Sequence, residues 1–286
     1  MTYRESKSRL KRKQQLKRRC ILAVTITITA ILLIVLISHI ASPSNKENDK
    51  DNEVTNNHPQ DTTPTPEVSN PEDSESDSID PNGKLIALTY DDGPSVYTSY
   101  LLDALEEYNA KATFFIVGNR AEQYRDTIKR MNYLDMEIAS HTFGHDLLTA
   151  LDEAGIKETM DKTDEALTAI IGHGADLMRP VEGSVNDLVQ QTVNKPIIRW
   201  NVDTLDWQSK DAQAIVNHVL ENVHDGCTIL MHDIYPTTIE ASKILIPKLQ
   251  ELGYQLVTVP ELAEARGITL EPGEIYKVFT KTDTSE

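Results

Sequence analysis

The sequence predicts an α/β fold, a parallel sheet covered by helices, and three observations carry that reading. From Lys84 onward, seven short apolar runs with strand-like composition alternate with stretches of helical periodicity. The acids, histidines and arginine of this region fall just after the apolar runs, where parallel α/β folds gather their active-site residues. A glycine-rich dinucleotide fingerprint and a phosphate loop are both missing, which removes the common nucleotide-binding versions of such a sheet.

In chain order, the first segment is a basic head at residues 1–19. Between Arg4 and Arg19 it holds nine Lys or Arg against the single acid Glu5, a charge of +8. The whole chain carries −17, so the remainder carries −25. An acidic body of that kind excludes nucleic acid as a partner, because phosphate binding needs a basic face. The head runs into an apolar segment, Cys20 to Ala41. At about 1.5 Å per residue it reaches ~33 Å, enough to cross a bilayer core as one transmembrane helix. A cleaved signal peptide is the competing reading. The length of the run opposes it, and so does the poor cleavage site at Ser42-Pro43-Ser44. The basic flank then holds the N-terminus in the cytoplasm and places the rest outside.

Residues 42–83 hold six Pro and eleven acids against two Lys, with almost no large apolar side chain. Such a segment buries too little surface to offset its ordering entropy and is expected to be a disordered linker, serving as a stalk or as filler. Cys20 and Cys227 fall on opposite sides of the predicted membrane and cannot pair. Cys227, in "CTILMHD", reads as a small buried residue.

The folded domain is expected at residues 84–268. Its strand-like runs are Leu85–Thr89, Ala112–Val117, Glu137–Ser140, Leu177–Met178, Ile197–Val202, Thr228–Met231 and Gln255–Val259. Helical periodicity is clearest in "TSYLLDALEEY", "IKETMDKTDEALTAII", "DAQAIVNHVLENV" and "TTIEASKILIPKLQELG". An open sheet and a closed barrel are both compatible with this pattern. Residues 269–286 form a C-terminal tail, loosely attached from Gly273 on.

The first strand ends in two adjacent carboxylates, Asp91 and Asp92; the third in "SHTFGH", with His141 and His145; the fourth in "MRPVEG", with Arg179; the fifth in "NVDTLDW"; and the sixth in "LMHD". Singly, each has an ordinary explanation: a helix cap for the Asp pair, a satisfied core residue for His232, a chance spacing for the two histidines. Jointly, at the carboxyl ends of different strands, they point to one site. Two His and one carboxylate make an open site for a divalent cation such as Zn²⁺. One Asp can then ligate the ion while its neighbour, held ionised by Arg179, takes a proton from water. His232, kept protonated by Asp206, can protonate the leaving group.

At these residues the chain resembles the carbohydrate esterase family 4, or NodB-like polysaccharide deacetylases, over roughly Leu85 to Leu262. The motifs appear in the family's order: Thr89-Tyr90-Asp91-Asp92-Gly93-Pro94, His141-Thr142-Phe143-Gly144-His145, Asp203 to Trp207, and Leu230-Met231-His232. The resemblance implies a distorted (β/α) barrel of about seven parallel strands. It implies Asp91 as base, Asp92, His141 and His145 as ligands of a divalent metal, Zn or Co, and Arg179 as orienter of the base. It further implies His232 as general acid supported by Asp206, and Trp207 lining a sugar groove. The implied reaction is hydrolysis of N-acetyl groups on a cell-wall glycan, with N-acetylglucosamine of peptidoglycan as the leading substrate and a bacterial cell-membrane location. Chitin oligomers, another exopolysaccharide, acetylxylan, and a non-catalytic glycan-binding module are the alternatives. One motif departs: the family's R-P-P-[YW]-G reads Arg179-Pro180-Val181-Glu182-Gly183, which puts Glu182 where a groove-wall ring is expected. Its carboxylate either favours a cationic or partly deacetylated glycan, or weakens binding, or is drift in a solvated loop.

Overall fold

The computed structural model describes residues 79–280. The basic head, the apolar segment Cys20–Ala41 and most of the linker lie outside the described residues, as do residues 281–286. Among the described residues no helix is long and apolar enough to cross a membrane.

The strands are β1 (Lys84–Asp91), β2 (Thr113–Ile116), β3 (Glu137–Ser140), β4 (Ile197–Ile198), β5 (Val202–Asp203), β6 (Thr228–His232), β7 (Tyr254–Leu256) and β8 (Ile275–Tyr276). All the strand pairings are parallel, in the order β3-β2-β1-β6-β5, with β7 beside the first residues of β1 and β4 beside β8. Met178 bridges Ser140 on one side and Ile197 on the other. Because β4 runs on through three residues into β5, the circuit returns to β6 and β1 and closes as an irregular barrel.

Strand β1 is buried from Leu85 to Asp91, as a strand covered on both faces must be. Its alternation sorts the core. Ile86, Leu88 and Tyr90 join the cluster beneath the helices, whereas Leu85 and Ala87 join Phe115, Ala139, Leu177 and Ile198 inside the barrel. Continuing the inward series, Thr89 and Asp91 follow Ala87, His141 follows Ala139, and His232 follows Leu230. Period-two geometry therefore carries four polar side chains, Thr89, Asp91, His141 and His232, from the barrel interior up to its rim.

The helices Thr98–Glu107, Glu153–Ile171, Ala212–Asn222 and Pro236–Glu251 lie where periodicity places them. Arg125–Tyr133, Asp187–Thr192, Asp206–Ser209 and Val259–Ala265 are further helices. The last begins at a residue expected to close a strand. Thr258 and Glu261 form a capping box there, which starts a helix at Val259.

Three expectations need correction. Leu177–Met178 contributes a single bridging residue instead of a strand. The run Ile197–Val202 splits in two, because the carbonyls of Ile198 and Arg199 accept hydrogen bonds from the Arg179 side chain. The third concerns the limits of the domain. Ile79 already packs against the inner cluster, and the supposed loose tail is part of the fold. β8 pairs with β4, Val278 bridges Cys227, and Phe279 is fully buried, its N–H donating to the Gly226 carbonyl at 2.8 Å. Gly226, at φ +80°, is needed for that approach, since a Cβ there would lie 2.1 Å from the Phe279 oxygen. Cys227 is buried and free, as expected.

Phe279→Ala is expected to cost about 3–5 kcal/mol in urea unfolding, the usual loss for emptying a buried aromatic position. An unchanged midpoint would return the segment to the status of a tail.

Candidate active site

The register of the sheet sets the site. Asp91 stands beside His232 on β6 and beside Phe115 on β2, while Ser140, just before His141, stands beside Ile116 and Met178. The carboxyl ends of β1, β3, β5 and β6 and the Met178 bridge thus meet at one rim. There a cleft of about 400 Å³ is lined by Asp91, Asp92, His141, His145 and His232, with Val181, Glu182, Trp200, Asp203, Trp207 and Leu230 completing the wall.

Asp91 is buried. Its Oδ1 accepts from Arg179 Nη1 at 2.7 Å, and its Oδ2 lies 4.0 Å from His141 Nε2. Arg179 is wholly inaccessible, and every one of its nitrogens has a partner. Nη1 also donates to Thr89 Oγ1 at 2.8 Å, Nε to the Ile198 carbonyl at 3.1 Å and Nη2 to the Arg199 carbonyl at 3.2 Å. Its guanidinium stacks 4.0 Å from the centre of the Phe115 ring.

Asp92 points elsewhere than Asp91 because its backbone turns through φ +70° as β1 ends. Its Oδ1 lies 3.1 Å from His145 Nε2 and 3.5 Å from His141 Nε2. One donor atom from each of the three residues falls within 4.8 Å of the others. His141 Nδ1 lies 2.8 Å from the Arg179 carbonyl, so it carries the proton and leaves the Nε2 lone pair facing Asp92. Burial pushes the His141 pKa down and keeps its ring neutral. His145, whose side chain is 45% exposed, is shifted up by its hydrogen bond with Asp92. Burial of Asp92 would raise its carboxyl; the hydrogen bond with His145 and the nearby imidazoles outweigh that and lower it. Two imidazole nitrogens and one carboxylate, already oriented and deprotonable, fit a divalent ion of the zinc or cobalt kind.

Across the cleft, His232 Nδ1 lies 2.7 Å from Asp206 Oδ1, and the His232 backbone N–H donates to Asp206 Oδ2 at 2.8 Å. Thr238 Oγ1 and the Trp207 N–H also donate to Asp206, which is fully buried. Burial works against a charged imidazole, but Asp206, with Asp91 and Asp92 behind it, lifts His232 to about 9. Trp207 is half-exposed at the lip. The structure therefore brings together all nine residues singled out in the sequence.

Sequence reasoning missed Trp200. It fell inside an expected continuous strand, and only the break between β4 and β5 turns its ring toward the cleft. Asp233, the last residue of "LMHD", is a further group that the sequence pattern assigns no part. It is buried, and desolvation pushes its carboxyl up to about 7. Thr98 Oγ1 donates to it, and Ser95 Oγ donates to its backbone carbonyl at 2.6 Å. It fills the space beside Gly93, where a Cβ would lie 2.2 Å from Asp233 Oδ1.

A family model described as polysaccharide deacetylase matches residues 78–198. The peptidoglycan-N-acetylmuramic acid deacetylase PdaC of Bacillus subtilis is 39% identical over 191 residues, which are 66% of this chain and 41% of that protein. Its solved structure superposes with a TM-score of 0.65, covering 94% of the solved chain. The peptidoglycan-N-acetylglucosamine deacetylase PgdA of Listeria monocytogenes is 38% identical over 202 residues, covering 70% of this chain and 42% of that protein. A family 4 acetyl xylan esterase of Clostridium thermocellum, solved with a cobalt ion, is 32% identical at a TM-score of 0.65, with 68% of this chain and 98% of that one covered. The chain spans about two fifths of the length of the two curated relatives, and nearly all of the solved domains. On the motifs, the barrel and this coverage, the chain belongs to the polysaccharide deacetylase family.

Proposed function

We propose that this chain is a metal-dependent deacetylase that hydrolyses N-acetyl groups on a cell-wall polysaccharide, with N-acetylglucosamine of peptidoglycan as its substrate. The observation that carries the reading is the opposition, across one cleft, of a three-donor metal site beside an ion-paired carboxylate and a histidine poised to be protonated. Similarity to both a muramic acid and a glucosamine deacetylase supports the substrate class. Asp92, His141 and His145 are the residues that would hold the ion, Zn²⁺ or Co²⁺. Once bound, it supplies Lewis-acid chemistry, polarising an acetamide carbonyl and making water easier to deprotonate.

The remaining steps belong to the side chains. Asp91 has Oδ1 committed to Arg179, which leaves Oδ2 on the side of His141 to take a proton from the attacking water. Arg179 keeps that carboxylate in one orientation. As the C–N bond of the acetamide breaks, the leaving nitrogen needs a proton. His232 supplies it from Nε2, because Nδ1 is engaged by Asp206. Acetate and a free amine result. Trp207, Trp200, Leu230 and Val181 give the sugar and the acetyl methyl an apolar wall. The apolar segment Cys20–Ala41 supports placement at the cell membrane, with the domain on the outer side; detergent-dependent extraction of the full chain tests that part.

Acetate release from purified peptidoglycan is expected to vanish on chelation and to return with Zn²⁺ or Co²⁺, with mass spectrometry of the products identifying the deacetylated sugar. Failure of the metal-loaded chain to release acetate from any wall glycan would overturn the reading. Asp91→Asn is expected to keep the metal and lose at least about a hundredfold in kcat, as removal of a general base does, whereas His141→Ala loses the metal; equal metal content in the two variants would reverse the roles. The pH dependence has a defined sign. His232 has a raised pKa, so its protonated form is present below about 9 and lost above it, and activity should fall as pH rises through that value. In Asp206→Asn burial remains while the countercharge goes, so this upper limb, and the imidazole titration followed by NMR, should move down by about one unit or more. A limb that stays in place would separate Asp206 from the proton of His232.

A further inference from the structure

Glu182 holds a fixed place on the wall of the cleft. Its neighbours Val181 and Gly183 are buried, and the turn is closed by Gly183 N–H to the Pro180 carbonyl at 2.9 Å and Ser184 N–H to the Val181 carbonyl at 3.1 Å. Glu182 itself sits at φ +57°, a conformation that a glutamate does not choose freely. The Trp200 ring lies against the turn, 3.0 Å from where a Cβ on Gly183 would stand, and blocks its retreat. The carboxylate is thus carried on a rigid base at the cleft rim.

The charges along the wall do not balance. Four carboxylates line the cleft and no Lys or Arg does. Asp91 is matched by Arg179, and Asp92 by the two imidazoles. Glu182 and Asp203 remain. Asp203 accepts the Leu205 N–H at 3.0 Å, and among the described residues neither forms an ion pair, although Arg199 runs close behind the turn. Two indole rings also line the cleft, Trp200 against the Glu182 turn and Trp207 beside Asp206. Indole faces attract both sugar C–H surfaces and cations. A neutral N-acetylated glycan offers these two carboxylates hydroxyl and amide donors but no cation, whereas an amino sugar offers the countercharge they lack.

We propose that Glu182 makes this cleft select a glycan strand that already carries a free amine close to the acetamide to be cleaved, on a nearby sugar deprived of its acetyl group by an earlier turnover. The inference rests on the deacetylase reading of the same cleft. Its consequence is that each turnover creates the cation that Glu182 recognises, so deacetylation spreads along a strand from sugars already processed and leaves its products clustered.

The test compares the wild-type chain with Glu182→Gln on two metal-loaded reactions, one with fully N-acetylated and one with half-deacetylated glucosamine oligomers. The ratio of kcat/KM, half-deacetylated over fully acetylated, is expected to fall about threefold to fivefold in the variant, the size of one exposed charge interaction. In the wild type this preference should shrink between low and high salt, and in Glu182→Gln, where only Asp203 remains without a cation, it should shrink less. Mass-spectrometric sequencing should find clustered deacetylated sugars from the wild type and scattered ones from the variant. A fully deacetylated oligomer should also bind the wild-type chain more tightly than the variant by calorimetry, with no turnover involved. An active wild type whose ratio, product pattern and amine binding are all unchanged by Glu182→Gln overturns this inference alone. A wild type that binds the amine through Glu182 but releases no acetate from either oligomer overturns the deacetylase reading and leaves the binding preference standing.

Discussion

The buried Arg179–Asp91 pair is the constraint around which the rest is arranged. An inaccessible guanidinium is costly unless every N–H is used, and here its donors reach Asp91, Thr89 and the carbonyls of Ile198 and Arg199. Those partners belong to β1 and to the end of β4, so the pair ties two walls of the barrel together at the level of the cleft. The carbonyl of the same residue receives His141 Nδ1. One arginine therefore orients the base candidate through its side chain and a metal-ligand candidate through its backbone. Removing either ionic partner would leave the other buried and unpaired, which generally costs more than the pair contributes.

Backbone strain gathers at the same rim. Asp92, Thr142, His145, Glu182 and Leu205 all have φ between +54° and +70°. None is a glycine, and left-handed backbone is unfavourable for each of them. The surrounding hydrogen bonds hold the conformations in place: Asp146 N–H donates to Thr142 Oγ1 at 2.7 Å, and Asp203 Oδ1 takes the Leu205 N–H. Straight continuation of the strands would send these side chains alternately inward and outward. The left-handed turns instead bring Asp92 and His145 round to face each other.

How much of this was legible in the sequence depends on the range of the interaction. Asp91, His141 and His232 were readable because a strand's inward series is a local property of period two, and the carboxyl end of a parallel strand is recognisable from the apolar run before it. The metal-ligand candidates and Asp206 followed from motifs close in sequence. Trp200 was not readable, since its direction depends on Arg179, a residue 21 positions earlier, taking the carbonyls that a regular strand would have used. Phe279 was not readable either. The apolar residues around it, Ile275, Tyr276 and Val278, form too short a run to signal a strand, and Phe279 is buried because β4 offers an edge and Gly226 lets the backbone approach. Short helices such as Arg125–Tyr133 escaped because two buried side chains, Ile128 and Met131, are too few to make a visible stripe.

The central position of β1 also dictates how the domain assembles. Its neighbours on the two sides are β2, about 25 residues on by the pairing of Thr89 with Thr113, and β6, about 140 residues on by the pairing of Thr89 with Leu230. The middle of the sheet cannot form until that long loop closes, and its entropic cost falls before most of the contacts exist. Such a topology favours slow folding, since β1 has only one of its two flanking neighbours until the chain through His232 is available. A strand of this kind is the segment most in need of protection from other chains while the barrel is still open.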